Sequence, residues 1–81
     1  MKLIDIIHQT NYTFTLFFEN GEKKDCDLKE LIEKHVSLNQ IKTAQINPEW
    51  GCLEFNEGRV DIEPKTLYNY AYDIKKLSEA A

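Results

Sequence analysis

Two acidic residues, Asp61 and Glu63, flank Ile62 directly before Pro64. Two carboxylates at this spacing could exchange protons with a substrate or hold a divalent cation. On a strand, however, residues i and i+2 share one face, and acidic residues directly before a helix stabilise its N-terminal dipole. We therefore interpret the pair as structural first, and as a candidate contact with a partner second.

Four further side chains have the chemistry to bind zinc or to act with a nucleophile: His8, Cys26, His35 and Cys52. Zinc sites are usually built from close pairs such as Cys-x-x-Cys or His-x-x-x-His, and these residues form no such pair. The chain also lacks a Gly-x-Ser-x-Gly segment and, with only three glycines, a glycine-rich phosphate loop. We predict no metal, no cofactor and no enzymatic activity, with the cysteines as small buried hydrophobic residues.

Aromatic side chains are the other group suited to binding, because they supply contact area at low cost in conformational entropy. A predicted helix carries three tyrosines at alternate positions, Tyr68, Tyr70 and Tyr72. At least one of them should be largely exposed. Tyr68 is expected to pack in the core and to anchor by its hydroxyl. Trp50 lies in a predicted turn, where it either anchors a partner or covers the core. The predicted partner-binding residues are Trp50, Asp61, Glu63, Tyr70 and Tyr72.

Length and composition indicate one small domain over residues 1–81, with the 42% hydrophobic and 30% charged residues of a globular chain. The formal net charge is −4 and the ten Lys and Arg residues are scattered, so direct binding to nucleic acid is disfavoured. No apolar run approaches the roughly 20 residues of a membrane-spanning helix. No secretory signal is recognisable either, and we predict a cytoplasmic protein without membrane contact.

The strands and helices that position these residues can be predicted from the alternation of apolar and polar residues and from turn signals. Apolar and polar residues alternate over residues 12–18, which is the clearest strand, and an earlier strand covers residues 3–7. Asn20-Gly21 predicts a hairpin with a type I′ turn, in which both central residues have positive φ. The returning polar strand, residues 22–26, should lie at a sheet edge. Residues 27–30 then have the pattern of a capping box that begins a short helix.

The second half repeats this plan. Residues 37–41 form a further helical turn or a loop, and residues 44–47 and 52–55 are short strands joined by a turn. A loop containing Gly58 leads into a strand that ends at Ile62, and Pro64 begins a helix that should reach about Leu77. The predicted fold class is α+β, with two antiparallel β-hairpin or meander units that are each followed by a helix packed on the sheet.

Three segments carry a resemblance to one family: Phe18-x-Asn20-Gly21-Glu22, Asp27-Leu28 with Leu31-Ile32, and Gly58-x-x-Asp61-Ile62-x-Pro64-x-x-Leu67-Tyr68. Together they resemble the uncharacterised, mainly bacterial family catalogued as domain of unknown function 2442. The family commonly has tryptophan near Phe55 and glutamate at the position of Lys65, so the resemblance implies that position 65 is not a strict catalytic acid. It also implies a small α+β domain without an established activity. Members are often encoded beside another small protein, which implies a partner-binding or regulatory role.

Three hypotheses about function follow, in order of preference. The first is a non-enzymatic interaction module that binds a protein partner or itself through a sheet edge or the aromatic residues. The second is a regulatory component that acts at nucleic acid through a partner. The third is a small metal-dependent hydrolase that uses Asp61 and Glu63.

Overall fold

The first sheet is built around the alternating segment of the sequence. In the computed structural model, which describes residues 1–72, this sheet is antiparallel with the strand order β1-β2-β3. Its strands are β1 (Leu3–Thr10), β2 (Thr13–Phe18) and β3 (Lys23–Asp27). Phe14, Leu16 and Phe18 of the central strand are fully buried, which confirms the predicted period of two. The polar strand β3 lies at an edge, as predicted.

The turn between β2 and β3 is not the predicted type I′ turn. Gly21 has a φ of 91°, but Asn20 is not among the described residues with positive φ. The Gly21 N–H donates to the Phe18 carbonyl at 3.0 Å, and the Phe18 N–H donates to the Glu22 carbonyl at 2.9 Å. These bonds define a three-residue loop with glycine in the left-handed position. The Asn20 side chain favours this loop, because its Oδ1 accepts from the Glu22 N–H at 3.0 Å.

The helix that follows β3 is shorter than predicted and begins differently. Helix α1 spans Lys29–Ile32, and its cap position is Leu28 rather than Asp27. The Asp27 carboxylate accepts from the Lys29 N–H at 2.9 Å, but no side chain caps the helix, so the predicted capping box is wrong. The chain continues through a 3-10 helix, Leu38–Thr43. Of the two alternatives predicted for residues 37–41, the helical turn is therefore the correct one.

The second sheet is also antiparallel and three-stranded, in the order β4-β5-β6. Its strands are β4 (Gln45–Ile46), β5 (Leu53–Phe55) and β6 (Val60–Ile62). Leu53 pairs with Ile62, and both side chains are buried. The loop between β5 and β6 has positive φ at Asn56, Glu57 and Gly58, although only the glycine was expected there. Asparagine tolerates this conformation better than most residues with a side chain.

Helix α2 spans Pro64–Ala71, with Glu63 at the cap position and Pro64 in the first turn. Proline suits this position because the first helical N–H groups have no partner within the helix. Leu67 of α2 is fully buried. The predicted continuation of the helix to Leu77 lies outside the described residues. Within residues 1–72, no helix combines the length and the apolar character needed to cross a membrane.

One hydrophobic core joins the two sheets. The rings of Phe14 in β2 and Phe55 in β5 meet edge to face, with centroids 6.1 Å apart. The Leu3 N–H of β1 donates to the Gly51 carbonyl at 3.1 Å, which ties the start of the first sheet to the turn of the second. The other fully or nearly fully buried core residues include Leu16, Phe18, Leu28, Ile32, Val36, Leu53 and Leu67. The fold is thus a mixture of α and β elements, as predicted, with two three-stranded antiparallel sheets.

Candidate functional site

A groove runs between α1, β6 and α2. It consists of two adjoining cavities of about 260 Å³ and about 600 Å³, and both are lined by Leu31 and Thr66. The smaller cavity has further apolar lining from Ile32, Val60 and Ile62. We call these two cavities the α1–α2 groove. Its lining could hold an apolar side chain of a bound molecule.

Acidic side chains line both parts of the α1–α2 groove. Glu30 of α1 lines the larger cavity, and Asp61 and Glu63 line the smaller one; all three residues are exposed. His35 also lines the smaller cavity, whereas no Lys or Arg of the described chain lines either. The three carboxylates give the groove a negative potential, which favours a cationic ligand group.

Asp61 and Glu63 reach the groove because of the strand period. The residue between them, Ile62, is buried opposite Leu53, so the two acidic side chains alternate away from the core. Tyr70, on the second turn of α2, lines the other cavity. The structure therefore brings three of the five predicted partner-binding residues to one groove, although the sequence indicated them for different reasons.

Cys52 lies close to Asp61, at the start of the same hairpin. Burial, followed by the negative charge of Asp61, raises the pKa of the Cys52 thiol. A raised pKa keeps the thiol protonated at neutral pH, and only the thiolate is a good nucleophile or metal ligand. Cys52 is buried and free, as expected of a small hydrophobic residue, while Cys26 is half-buried in β3.

The histidines and cysteines do not meet at one position. Over residues 1–72, no three His, Cys, Asp or Glu side chains converge in a way that could hold a metal ion. His8 has its Nε2 atom 2.8 Å from the Asn11 carbonyl, and its ring packs against Phe14 at 5.1 Å between centroids. His35 instead lines the α1–α2 groove.

Tyr68 and Tyr72 contact the first sheet and do not line the groove. The Tyr68 hydroxyl donates to a Glu22 carboxylate oxygen at 2.8 Å, and its ring meets Phe18 edge to face at 5.2 Å. The Tyr72 ring packs against Tyr68 at 4.7 Å, and Lys24 Nζ lies 5.4 Å from its centroid. All three tyrosines of this segment are half-buried, so the expectation that one would be largely exposed is wrong. Tyr68 and Tyr72 lie against the β2–β3 hairpin, whereas Tyr70 lines the larger cavity together with Glu30 and Leu31.

Trp50 lies away from the groove, in the turn between β4 and β5. Its side chain is 65% exposed, so it does not cover the core. Asn47 Oδ1 shapes this turn by accepting from the N–H groups of Glu49 and Trp50, at 2.9 and 3.0 Å. Since the next residue, Gly51, bonds to Leu3, Trp50 lies beside the start of β1.

Sequence reasoning missed several residues with binding potential. Glu30 was interpreted as a capping residue and His35 as the end of a helix, and no local pattern connects either of them with Asp61. Two exposed isoleucines of β1, Ile4 and Ile7, were also missed. The sequence did contain a signal for them, because four of the five residues 3–7 are apolar. A strand that is buried on one face hides only every second side chain, so some of these four had to be exposed.

Comparison with known proteins gives a family but no activity. A family model described as "Protein of unknown function (DUF2442)" matches residues 3–73, which is most of the chain. No curated protein and no solved structure matches the chain.

Proposed function

The chain belongs to the DUF2442 family of proteins of unknown function, and we propose that it is a non-enzymatic module that binds a protein partner in the α1–α2 groove. The observation that carries this proposal is the presence of Asp61, Glu63 and Tyr70 along one groove. The partner contributes an extended or helical segment that places Lys or Arg beside an apolar side chain.

The charge of the groove supports a cationic partner. Glu30, Asp61 and Glu63 supply three carboxylates, and the lining residues of the described chain include no Lys or Arg to neutralise them. Complementary charge accelerates association and fixes the orientation of a partner more than it adds affinity. The affinity then comes from burying apolar area against the side chains of Leu31 and Val60.

The exposure of the carboxylates supports a binding role over a catalytic one. General acid–base catalysis usually relies on carboxylates in an environment that excludes water. Asp61 and Glu63 are exposed to water, where the cationic groups of a partner can reach them. Cys52, the nearest nucleophile, is kept in the thiol form by burial and by Asp61.

A capture experiment tests this function. The tagged chain is incubated with an extract of its own cells, and bound proteins are identified by mass spectrometry. Three forms are compared: wild type, Asp61→Asn with Glu63→Gln, and a control with Glu33→Gln and Glu57→Gln. Both variants lose two negative charges, but Glu33 and Glu57 are exposed and do not line the groove.

We expect one protein to bind wild type and the control, and to bind the groove variant at least about tenfold more weakly, because unpaired cationic groups are costly to bury. Binding should also weaken with added salt, which screens exposed charges. Equal capture by both variants would contradict a role for the groove. Capture of no protein by wild type would count against a partner-binding function as a whole.

A further inference from the structure

The Asn20-Gly21 pair, which forms the turn between β2 and β3, has a chemistry of its own. Of the six asparagines in the sequence, only Asn20 is followed by glycine. In such a pair the backbone nitrogen of the glycine can attack the side-chain carbonyl carbon of the asparagine. Glycine permits this attack because it has no Cβ atom that would hinder the approach and its backbone rotates freely.

The turn keeps the two reacting groups together. Asn20 Oδ1 accepts from the Glu22 N–H at 3.0 Å, and the ring closed by this hydrogen bond contains both reacting atoms, Asn20 Cγ and the Gly21 nitrogen. The space around the glycine is open, because a Cβ atom built at Gly21 would have no heavy atom within 4 Å. Both residues are exposed, so water reaches them.

One hydrogen bond opposes the reaction in the folded chain. The Gly21 N–H donates to the Phe18 carbonyl at 3.0 Å, and the glycine nitrogen must lose this proton before it can attack. The turn therefore reacts only when it opens locally, and surface turns open at a lower free-energy cost than the core. We expect the folded chain to react, but more slowly than the unfolded chain.

We propose that Asn20 is a site of spontaneous deamidation, and that the reaction releases helix α2 from the turn between β2 and β3. The Gly21 nitrogen gives its proton to the solvent and bonds to Asn20 Cγ, while the bond from Cγ to Nδ2 breaks and ammonia leaves. Water then opens the cyclic imide. Opening at Cγ gives aspartate, and opening at the backbone carbonyl carbon gives isoaspartate. In total one water is consumed, one ammonia is released, and nothing is oxidised or reduced.

The amide group that is lost takes part in the anchor of α2. Asn20 Nδ2 and the Tyr68 hydroxyl both donate to the same oxygen, Glu22 Oε1, at 2.6 and 2.8 Å. After deamidation an anionic oxygen replaces this Nδ2 donor, and two like charges at such a distance repel each other. Glu22 must turn away from the new charge, and because the same oxygen holds Tyr68, this movement breaks the bond to α2.

The release is selective and permanent. The bond from the Glu22 N–H to Oδ1 of residue 20 does not need the amide group, so the aspartate product keeps the turn while it loses the anchor. Isoaspartate also lengthens the backbone of the three-residue loop by one carbon atom. Because ammonia diffuses away, the reaction does not reverse, and the fraction of chains with a released α2 grows with the age of the protein.

Peptide mapping by mass spectrometry tests the reaction. Wild type is kept for weeks in a mildly alkaline buffer, one sample folded and one unfolded in guanidinium chloride, and each deamidation adds one mass unit. Asn56 is the control within the same molecule, because it also lies in a loop with positive φ but precedes Glu57. We expect conversion of Asn20 in both samples, faster in the unfolded one, and far less at Asn56.

Two results of this mapping would overturn the proposed site. One is a folded sample in which Asn20 stays intact after the unfolded sample has fully reacted. The other is equal conversion of Asn20 and Asn56, which would show that the glycine and the turn give no selectivity.

A double-mutant cycle tests the release of α2. Asn20→Asp reproduces the aspartate product, and Asn11→Asp is the matched control, since Asn11 is exposed and has positive φ in the turn between β1 and β2. In denaturant titrations, Asn20→Asp should raise the unfolding equilibrium constant about two- to fivefold, the range of exposed charge interactions. Asn11→Asp should stay close to wild type.

The cycle is completed by adding Tyr68→Phe to wild type and to Asn20→Asp. This substitution should destabilise wild type but have little further effect on Asn20→Asp, because there the bond from Tyr68 to Glu22 is already broken. Equal effects in both backgrounds would overturn the release of α2, as would equal stability of Asn20→Asp and wild type. Because neither experiment involves the groove or a partner, a failure here is distinct from a failure of the proposed partner binding.

Discussion

At the scale of single residues, Glu22 connects parts of the chain that are far apart in sequence. Its carboxylate accepts from the Tyr68 hydroxyl at 2.8 Å and from the Asn20 amide at 2.6 Å. These bonds fasten helix α2 to the turn between β2 and β3. Tyr68 was expected to anchor by its hydroxyl, but the identity of its partner could not be predicted, because only the packing of α2 brings the two residues together.

This cluster predicts a pH dependence of stability. Hydrogen bonds from Tyr68 and Tyr72 lower the pKa of Glu22 below its ordinary value of 4.5. A depressed folded-state pKa gives a stabilisation that is present above the unfolded-state pKa and is lost as the pH falls through the folded value. The free energy of unfolding of wild type should therefore exceed that of Glu22→Gln at neutral pH, and the difference should shrink on acidification below pH 4.5.

Denaturant titrations between about pH 7 and about pH 3 measure this difference. Glu33→Gln is the control, since Glu33 is exposed. Tyr68→Phe should remove most of the pH-dependent part, because the largest cause of the lowered pKa is the bond from Tyr68. A difference between wild type and Glu22→Gln that stays constant with pH would contradict the assigned hydrogen bonds.

At the scale of elements, the turn between β4 and β5 joins the two sheets. Gly51 has a φ of 71°, and its carbonyl accepts from the Leu3 N–H. A Cβ atom at Gly51 would lie 2.8 Å from the Cα atom of Lys2, so the backbone directly before β1 leaves no room for a side chain. The sequence predicted a turn here, but not that another strand would pack against it.

Two glycine substitutions separate strain from steric overlap. Both Gly21 and Gly51 have positive φ, but a Cβ atom at Gly21 would have no heavy atom within 4 Å. We expect Gly21→Ala to cost about 1–2 kcal/mol from backbone strain alone. Gly51→Ala should cost clearly more, because the backbone at Lys2 must also move. Equilibrium unfolding in urea measures both, and equal costs would show that the contact between the turn and β1 contributes little.

At the scale of the whole molecule, the two sheets share one core and should unfold together. Phe14 and Phe55 form the edge-to-face contact between them. Phe55→Leu should cost about 1–2 kcal/mol, because it removes an aromatic pair and leaves a small void. The fluorescence of Trp50 and far-UV circular dichroism should report the same midpoint in wild type and in the variant. Midpoints that differ between the two signals would show that the sheets unfold separately.

The elements themselves could be predicted largely from local patterns. Alternation over β2, the polar edge strand β3 and the proline that begins α2 each depend on neighbouring residues. The two wrong predictions, the type I′ turn and the capping box, were also local. Several turn and cap geometries have similar sequence requirements, and the side-chain hydrogen bonds of Asn20 and Asp27 determine which one forms. The candidate site was predicted only in part, since the sequence indicated Asp61 and Glu63 but not the surface they share.

By itself the sequence determined the antiparallel strands, the mixture of α and β elements and the family. These depend on the order of residues along the chain, through the strand period and the conformational limits of glycine and proline. Only the tertiary structure decided that Glu30 and Asp61 line one groove, and that Ile7 and Trp50 stay exposed. The reason is that such surfaces form where segments distant in sequence pack together. The hydrophobic core as a whole sets the orientation of α1, α2 and β1.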